Sequence, residues 1–288
     1  MTKTLPLRGP GVRDLDLALP PTPMPRWHGG RPLKRWRYVG VYTPELMLCV
    51  GDARVGPVPQ RWWAIALPDG ELHERTTFGA GGIELDSPWT DGGSPARVRV
   101  AAQGVRIDLE LTESAGVETA SPVADRGAYT WTRKQACVPA RGSVEVDGAR
   151  HAIDADAGFI DDSAGYHPRH TKWNWSAGIG TAVDGRPVGW NLVTGINDDP
   201  AASERTIWVD GQPREIDPVE FGGDLASIAF ADGGMLRCDE WSSREHSTNA
   251  LIMRSRYRQP FGAFSGTLPG GIELAEGYGV MEDHDVHW

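Results

Sequence analysis

Six Asp-Gly pairs punctuate this chain, at Asp69-Gly70, Asp91-Gly92, Asp147-Gly148, Asp184-Gly185, Asp210-Gly211 and Asp232-Gly233. Both residue types tolerate positive φ, which tight hairpin turns demand. Several of the pairs sit between runs that alternate in polarity. In the run 105–111, Val105, Ile107, Leu109 and Leu111 fall on one face and Arg106, Asp108 and Glu110 on the other. That is the pattern of a half-buried antiparallel strand. Val98-Arg99-Val100 leads into it across an Ala102-Gln103-Gly104 turn, Ser143-Val144-Glu145-Val146 repeats it, and the run 253–258 sets three arginines on one side. Hairpins are expected over 143–153, 179–192, 206–216 and 225–238.

The stretch 235–259 lacks glycine and proline, but its apolar residues do not fall on a 3.6-residue face. Two strands joined by a polar loop over 242–249, with room for a short helix there, are expected. With 288 residues the chain can bury one or two full cores, and 36 glycines and 22 prolines suit a backbone that turns often. The runs Trp36-Arg37-Tyr38-Val39-Gly40-Val41 and Trp173-Asn174-Trp175-Ser176-Ala177-Gly178-Ile179 open two strands in a similar way, a faint internal repeat. Residues 1–30, rich in proline, read as an extended arm with little structure of its own, lying on the body.

The formal charge of −10 works against nucleic acid and anionic membrane surfaces as partners. The basic run 31–37 is a local exception and reads as a solvated entry into the first strand. Cys49, Cys137 and Cys238 are far apart in strand-like surroundings, as expected of reduced, buried thiols in a cytoplasmic protein. The first ten residues do not read as a signal peptide. No window approaches the roughly 20 apolar residues of a membrane helix, so no membrane span is expected. Oligomeric state is not legible.

Two polar clusters could carry chemistry. The denser runs from Asp161 to Trp175 and holds Asp161, Asp162, His167, Arg169, His170, Lys172, Trp173 and Trp175. His167-Pro168 forces an extended or turning backbone, so a loop running into a strand is expected, with Trp173 and Trp175 on one face. An Asp or His beside an apolar pocket could act as general acid or base. The same groups could equally cap backbone amides and tie the loop down by an ion pair. The second cluster is 277–288, where Glu282 and His284 share a face of any strand. A metal held there is set aside, because no HExxH or comparable ligand spacing occurs. There is no GxSxG elbow and no phosphate-cradling GxxxxGK[ST], so no nucleotide cofactor is expected. The 12 tryptophans, among them Trp62, Trp63, Trp89, Trp131, Trp190, Trp208 and Trp241, are read mainly as core, with some free to line a pocket.

The run 161–175, together with Gly189-Trp190-Asn191-Leu192, Phe261-Gly262-Ala263-Phe264-Ser265-Gly266 and the ending 282–288, resembles the signature of the family called domain of unknown function 2804. The likeness spans about Arg31 to Trp288. That family is similar to lipocalin-like double-barrel proteins, which include hydratases, cyclases and lipid carriers. The resemblance implies an all-β fold of two lipocalin-like antiparallel barrels, or strongly curved sheets, in tandem, over 31–157 and 158–288, with no organic cofactor. It implies a hydrophobic small-molecule ligand such as a lipid, terpenoid or polyketide. Arg169, Lys172, Trp173, Trp175, Asn191, Glu282 and His284 are the candidate ligand-binding residues. The alternative is a hydratase, cyclase or isomerase in which Asp161, Asp162, His167 or His170 supplies an acid–base group.

Overall fold

The computed structural model describes residues 4–79, 81–86, 96–123, 126–250 and 253–288. The Asp91-Gly92 turn, Trp89 and Leu251-Ile252 lie outside the described residues. The other Asp-Gly pairs all turn antiparallel hairpins. Val146 faces Ala149 across Asp147-Gly148, and Val209 faces Gln212 across Asp210-Gly211. In both, aspartate and glycine alike are left-handed, with φ of 47° and 85° in the first and 51° and 71° in the second. This is the two-residue turn whose twist matches the flanking strands. At Asp69, Asp184 and Asp232 the positive φ falls on the glycine, and the hairpins there are looser.

Among the described residues the strands make an 11-stranded and a nine-stranded antiparallel sheet, with a small ribbon of Trp27–His28 and Arg31–Pro32. Nine strands of the first sheet run in the order Leu72–Thr77, Val58–Ala66, Met47–Val55, Lys34–Tyr42, Ala149–Gly165, Ala128–Val146, Val105–Leu111, Ala96–Ala102, Ile83–Leu85, and Val117–Val123, itself paired with Leu7–Arg8, branches from Ala128–Val146. The second runs Gln212–Glu215, Thr206–Val209, Pro187–Thr194, His170–Ala182, Ile272–His287, Met253–Leu268, Met235–Ala250, Ser227–Phe230, Val219–Phe221. The plan is shared. Four strands meander to one edge, and the last strand returns to pair with the opening one. The two tryptophan-led runs occupy matching places in it, each in the strand that pairs with its sheet's last. Both sheets curl, as tandem lipocalin-like barrels do, and Arg61 Nη1 reaches the Ile83 carbonyl at 3.0 Å from the opposite flank of the first. Each also has a glycine of positive φ against which the next strand packs closely: at Gly142 (φ 138°) and at Gly266 (φ 116°) a Cβ would lie 2.1 Å from a carbonyl oxygen of the next strand, that of Asp108 and of Met235.

One hydrophobic core spans both sheets, joining Val39, Val50, Ile107 and Phe159 to Trp175, Val193, Phe261 and Val280. Tyr38 and Phe159 meet the Trp175 ring edge-on, at centroid distances of 5.4 and 5.9 Å. A second core around Trp190, Leu192, Ile207 and Phe264 belongs to the second sheet.

Four expectations are revised. Residues 235–250 form one unbroken strand, hairpinned to Met253–Leu268, rather than two strands and a polar loop. The partner strand satisfies their backbone, so polar side chains do not end the strand. The segment 161–165 is the end of a long strand, not a loop; the turn is confined to 166–169. The basic run 31–37 is not solvated throughout, because Lys34 and Arg37 are buried and Arg37 pairs with Asp162 and Glu113. The N-terminal arm has structure: Leu7–Arg8 pairs with Val117–Val123, a 3-10 turn covers Pro10–Asp14, and Val12 and Leu19 pack with Tyr129, Trp131 and Tyr166. The strand Ala149–Gly165, on which the expected 157/158 boundary falls, pairs within the first sheet to its end.

Candidate functional site between the two sheets

Along the pair His170–Ala182 and Ile272–His287, Trp173 stands opposite His284 and Trp175 opposite Glu282. Directly opposed residues share a face, and this face meets the first sheet. Glu282 is buried there. Trp173 Nε1 donates to its Oε1 at 2.7 Å and Gln259 Nε2 to its Oε2 at 3.1 Å, and the Tyr257 hydroxyl adds a further hydrogen bond. Burial pushes the Glu282 carboxyl up to about 7, with Asp161 adding to the rise and Trp173, Tyr257 and Arg244 opposing it. A carboxyl so placed takes up and releases a proton near neutrality.

Its neighbours come from several strands. Arg244 is buried, with Nε 2.9 Å from Glu74 Oε2 on the first sheet's edge strand, and its guanidinium lies 5.5 Å over the Tyr257 ring. The Tyr257 hydroxyl is 3.5 Å from Arg244 Nη1. The Cys49 thiol faces Gln259 Oε1 at 3.8 Å, and burial raises its pKa. Tyr38 and Tyr42 join hydroxyl to hydroxyl at 3.0 Å. Tyr42 also lines a cleft of roughly 610 Å³ between the sheets, with the apolar Ile153, Ile179 and Tyr278 and the charged Glu45, Asp156 and Glu276. Chambers of about 300–1,000 Å³ are the usual size for small-molecule sites. The tyrosine pair therefore links an open cleft of mixed apolar and acidic lining to the Trp175–Glu282 face.

Beside this group lies a charged triad. Lys134 Nζ is 2.5 Å from Asp161 Oδ1 and 3.4 Å from Glu204 Oε1. Burial works against the ammonium, but the two carboxylates more than offset it and raise its pKa. Burial raises the Glu204 carboxyl.

The structure brings together some of the sequence candidates and separates others. Asp161, Trp173, Trp175, Asn191, Glu282 and His284 gather at the seam. Asn191 accepts from Trp175 Nε1 at 2.9 Å and donates to the Glu204 carbonyl at 2.8 Å. His284 packs on Trp173, bonds Ser255 Oγ at 2.8 Å, and is pushed down to about 4 chiefly by burial. Asp162 points to the opposite face of its strand, held by Arg133 Nη2 at 2.7 Å. His167 is buried against Trp36, and burial pushes it down to about 3, with Lys34 and Lys134 adding to the fall. Arg169, His170 and Lys172 are exposed. The sequence reading missed Tyr38, Cys49, Lys134, Arg244, Tyr257 and Gln259. Their local runs carry no motif; only the non-local register assembles them.

Fold and site together define a tandem lipocalin-like double-barrel protein with a carboxyl group buried where its sheets meet. The chain belongs to the family described as domain of unknown function (DUF2804), whose profile matches residues 52–288. The span includes Asp161, Arg244, Tyr257 and Glu282; Tyr38 and Cys49 precede it. No curated protein matches this chain. Among solved structures it is similar to a protein from Nitrosomonas europaea assigned as AttH, with TM-score 0.55 and 13% identity over 87% of this chain and 91% of that one. It is also similar to kievitone hydratase from Nectria haematococca, with TM-score 0.54 and 13% identity over 87% and 88%. At such identity the likeness concerns the fold.

Proposed function

We propose that this protein takes an apolar, unsaturated small molecule from the cleft lined by Tyr42 to the Trp175–Glu282 face beyond the Tyr38–Tyr42 pair and transforms it there by proton transfer, with Glu282 as the proton-transferring group. The observation that carries this reading is the buried Glu282 carboxyl, shifted to about 7 and fixed by donors from two neighbouring strands. The groups facing it are Trp173 on its paired strand, Tyr257 and Gln259 on the other side, Arg244 one strand further, and Asp161 and Tyr42 from the first sheet. Protonated Glu282 gives its proton to one carbon of a double bond. The electron pair of that bond forms the new C–H bond and leaves a cation on the other carbon. The faces of Trp173 and Trp175 stabilise such a charge. Attack by water completes a hydration and attack by a second double bond a cyclisation; either releases a proton to the Glu282 carboxylate. Kievitone hydratase, by its name a hydratase, shares the fold and makes hydration a natural first class to test.

The test uses an organic extract of the host cell, incubated with the protein in deuterated water and followed by mass spectrometry. Wild type should bind an extracted compound and place one deuterium on carbon in it or its product. Glu282→Gln should keep the compound bound and lose at least about a hundredfold in deuterium transfer, the usual scale of a general acid. Binding without deuterium transfer by wild type would leave a carrier of hydrophobic molecules and remove the catalytic reading.

A further inference from the structure

The far face of the second sheet carries a group that the seam does not use. His170 opens one strand, and Asp285 and His287 end the strand beside it. His170 is registered directly opposite His287, and Lys172 opposite Asp285. Residues two apart on a strand share a face, so both imidazoles and the carboxylate project to the same side, away from Trp173 and His284. The imidazoles stack with centroids 3.9 Å apart and planes 7° off parallel. His170 Nε2 lies 2.8 Å from Asp285 Oδ1. One ligand atom from each of the three lies within 4.8 Å of the others.

We propose that His170, Asp285 and His287 form a binding site for a transition-metal ion of the Zn²⁺ or Cu²⁺ class. A cross-strand pair holds its Cβ atoms about 4.5–5.5 Å apart, a spacing from which two imidazoles converge on one ion, and an extended register fixes it. Bonds of about 2.0–2.2 Å to nitrogen and oxygen require the two stacked rings to turn out of parallel, so that their in-plane lone pairs meet at one ion, and His170 to exchange its hydrogen bond to Asp285 for the metal. The side chains of His170 and Asp285, 52% and 32% exposed, are free to make that rotation. Remaining coordination positions open to water.

The surroundings set the selectivity. Arg254 is registered opposite His287, Arg256 opposite Asp285, and Lys172 flanks the carboxylate from the other strand. These cations oppose any dication. Mg²⁺ and Ca²⁺, which depend on several oxygen ligands, find one carboxylate within the cluster, because Asp283 on the same face is engaged by Arg256 at 3.5 Å and Asn174 at 3.2 Å. Zn²⁺ and Cu²⁺ bond imidazole nitrogen strongly enough to hold. The ion would pin the strand that opens the second sheet to the one that ends it.

The experiment is calorimetric titration of the full chain, free of any affinity tag, with Zn²⁺ in excess Mg²⁺, and electron paramagnetic resonance with Cu²⁺. One Zn²⁺ should bind per chain, unaffected by Mg²⁺, and the Cu²⁺ spectrum should show two nitrogen ligands. His170→Ala and His287→Ala should each weaken Zn²⁺ about tenfold or more and remove one nitrogen from the spectrum. The cluster of Glu71, His73 and Asp147 is the rival site, so His73→Ala should change neither readout. Near-ultraviolet circular dichroism checks that the variants are folded. No binding by wild type, equal competition by Mg²⁺, or unchanged binding in both His170→Ala and His287→Ala would overturn the assignment; so would its loss in His73→Ala.

Discussion

Glu282 and His167 are both buried titratable groups, and burial acts on them in opposite senses. Glu282 has its pKa raised to about 7 from 4.5, so the native state keeps a proton that the unfolded chain gives up. Its contribution to stability is full below about pH 4.5 and is lost as pH rises through 7, a swing on the order of 3 kcal/mol. Glu282→Gln should remove that fall, measured by urea denaturation from pH 4.5 to 8; an unchanged profile would mean the carboxyl is not held neutral. His167, pushed down to about 3 from 6.5, stays uncharged in the native state while the unfolded chain protonates. Its depressed pKa makes stability complete above about pH 6.5 and progressively poorer toward pH 3. His167→Phe should flatten that acid limb by a few kcal/mol and keep the ring packing on Trp36. Comparison of denaturation midpoints at pH 7 and pH 4.5 decides it.

Each sheet has a glycine whose Cβ site is filled by a neighbouring strand's carbonyl, and the two fall in corresponding strands, Gly142 in Ala128–Val146 and Gly266 in Met253–Leu268. Gly266→Ala adds both a left-handed φ and a collision at 2.1 Å with backbone that cannot swing away. It should cost more than about 2 kcal/mol, read as a fall in thermal midpoint. Gly223→Ala, where a Cβ meets nothing within 4 Å, is the control. At this scale much was legible. Asp-Gly turns and strict alternation are local signals, and they located the hairpins. The Met235–Ala250 strand was not legible, because its strand character comes from pairing with Met253–Leu268 rather than from its own residues. The same reason hid most of the site. Glu282, Trp173 and Asp161 stood out as parts of polar clusters, whereas Arg244, Gln259 and Tyr38 become partners only when strands distant in sequence meet.

Taken whole, the molecule is tied across its seam. Lys134 from the first sheet meets Glu204 in the loop that leads into Thr206–Val209 of the second, Arg244 of the second meets Glu74 of the first, and a single hydrophobic core includes residues of both. The two halves should therefore unfold together: calorimetry should give one transition with equal calorimetric and van't Hoff enthalpies, and two resolved peaks would show that the seam does not couple them. Lys134→Met would leave two buried carboxylates facing each other and should cost ~3–5 kcal/mol. Adding Asp161→Asn and Glu204→Gln should recover most of that loss.

In both sheets the opening strand is hydrogen-bonded to the final one, and the arm goes further, since Arg8 donates to the Ser203 carbonyl at 2.7 Å and to Thr206 Oγ1 at 2.9 Å. A ribosome releases these partners in the least convenient order. Lys34–Tyr42 is out early and must wait, with an unpaired edge, until Ala149–Gly165 emerges, and Arg8 waits longer still. Long loops must close before such contacts reward the chain, so folding here is largely deferred to late in synthesis, and the nascent strand edges are what a chaperone would have to shield.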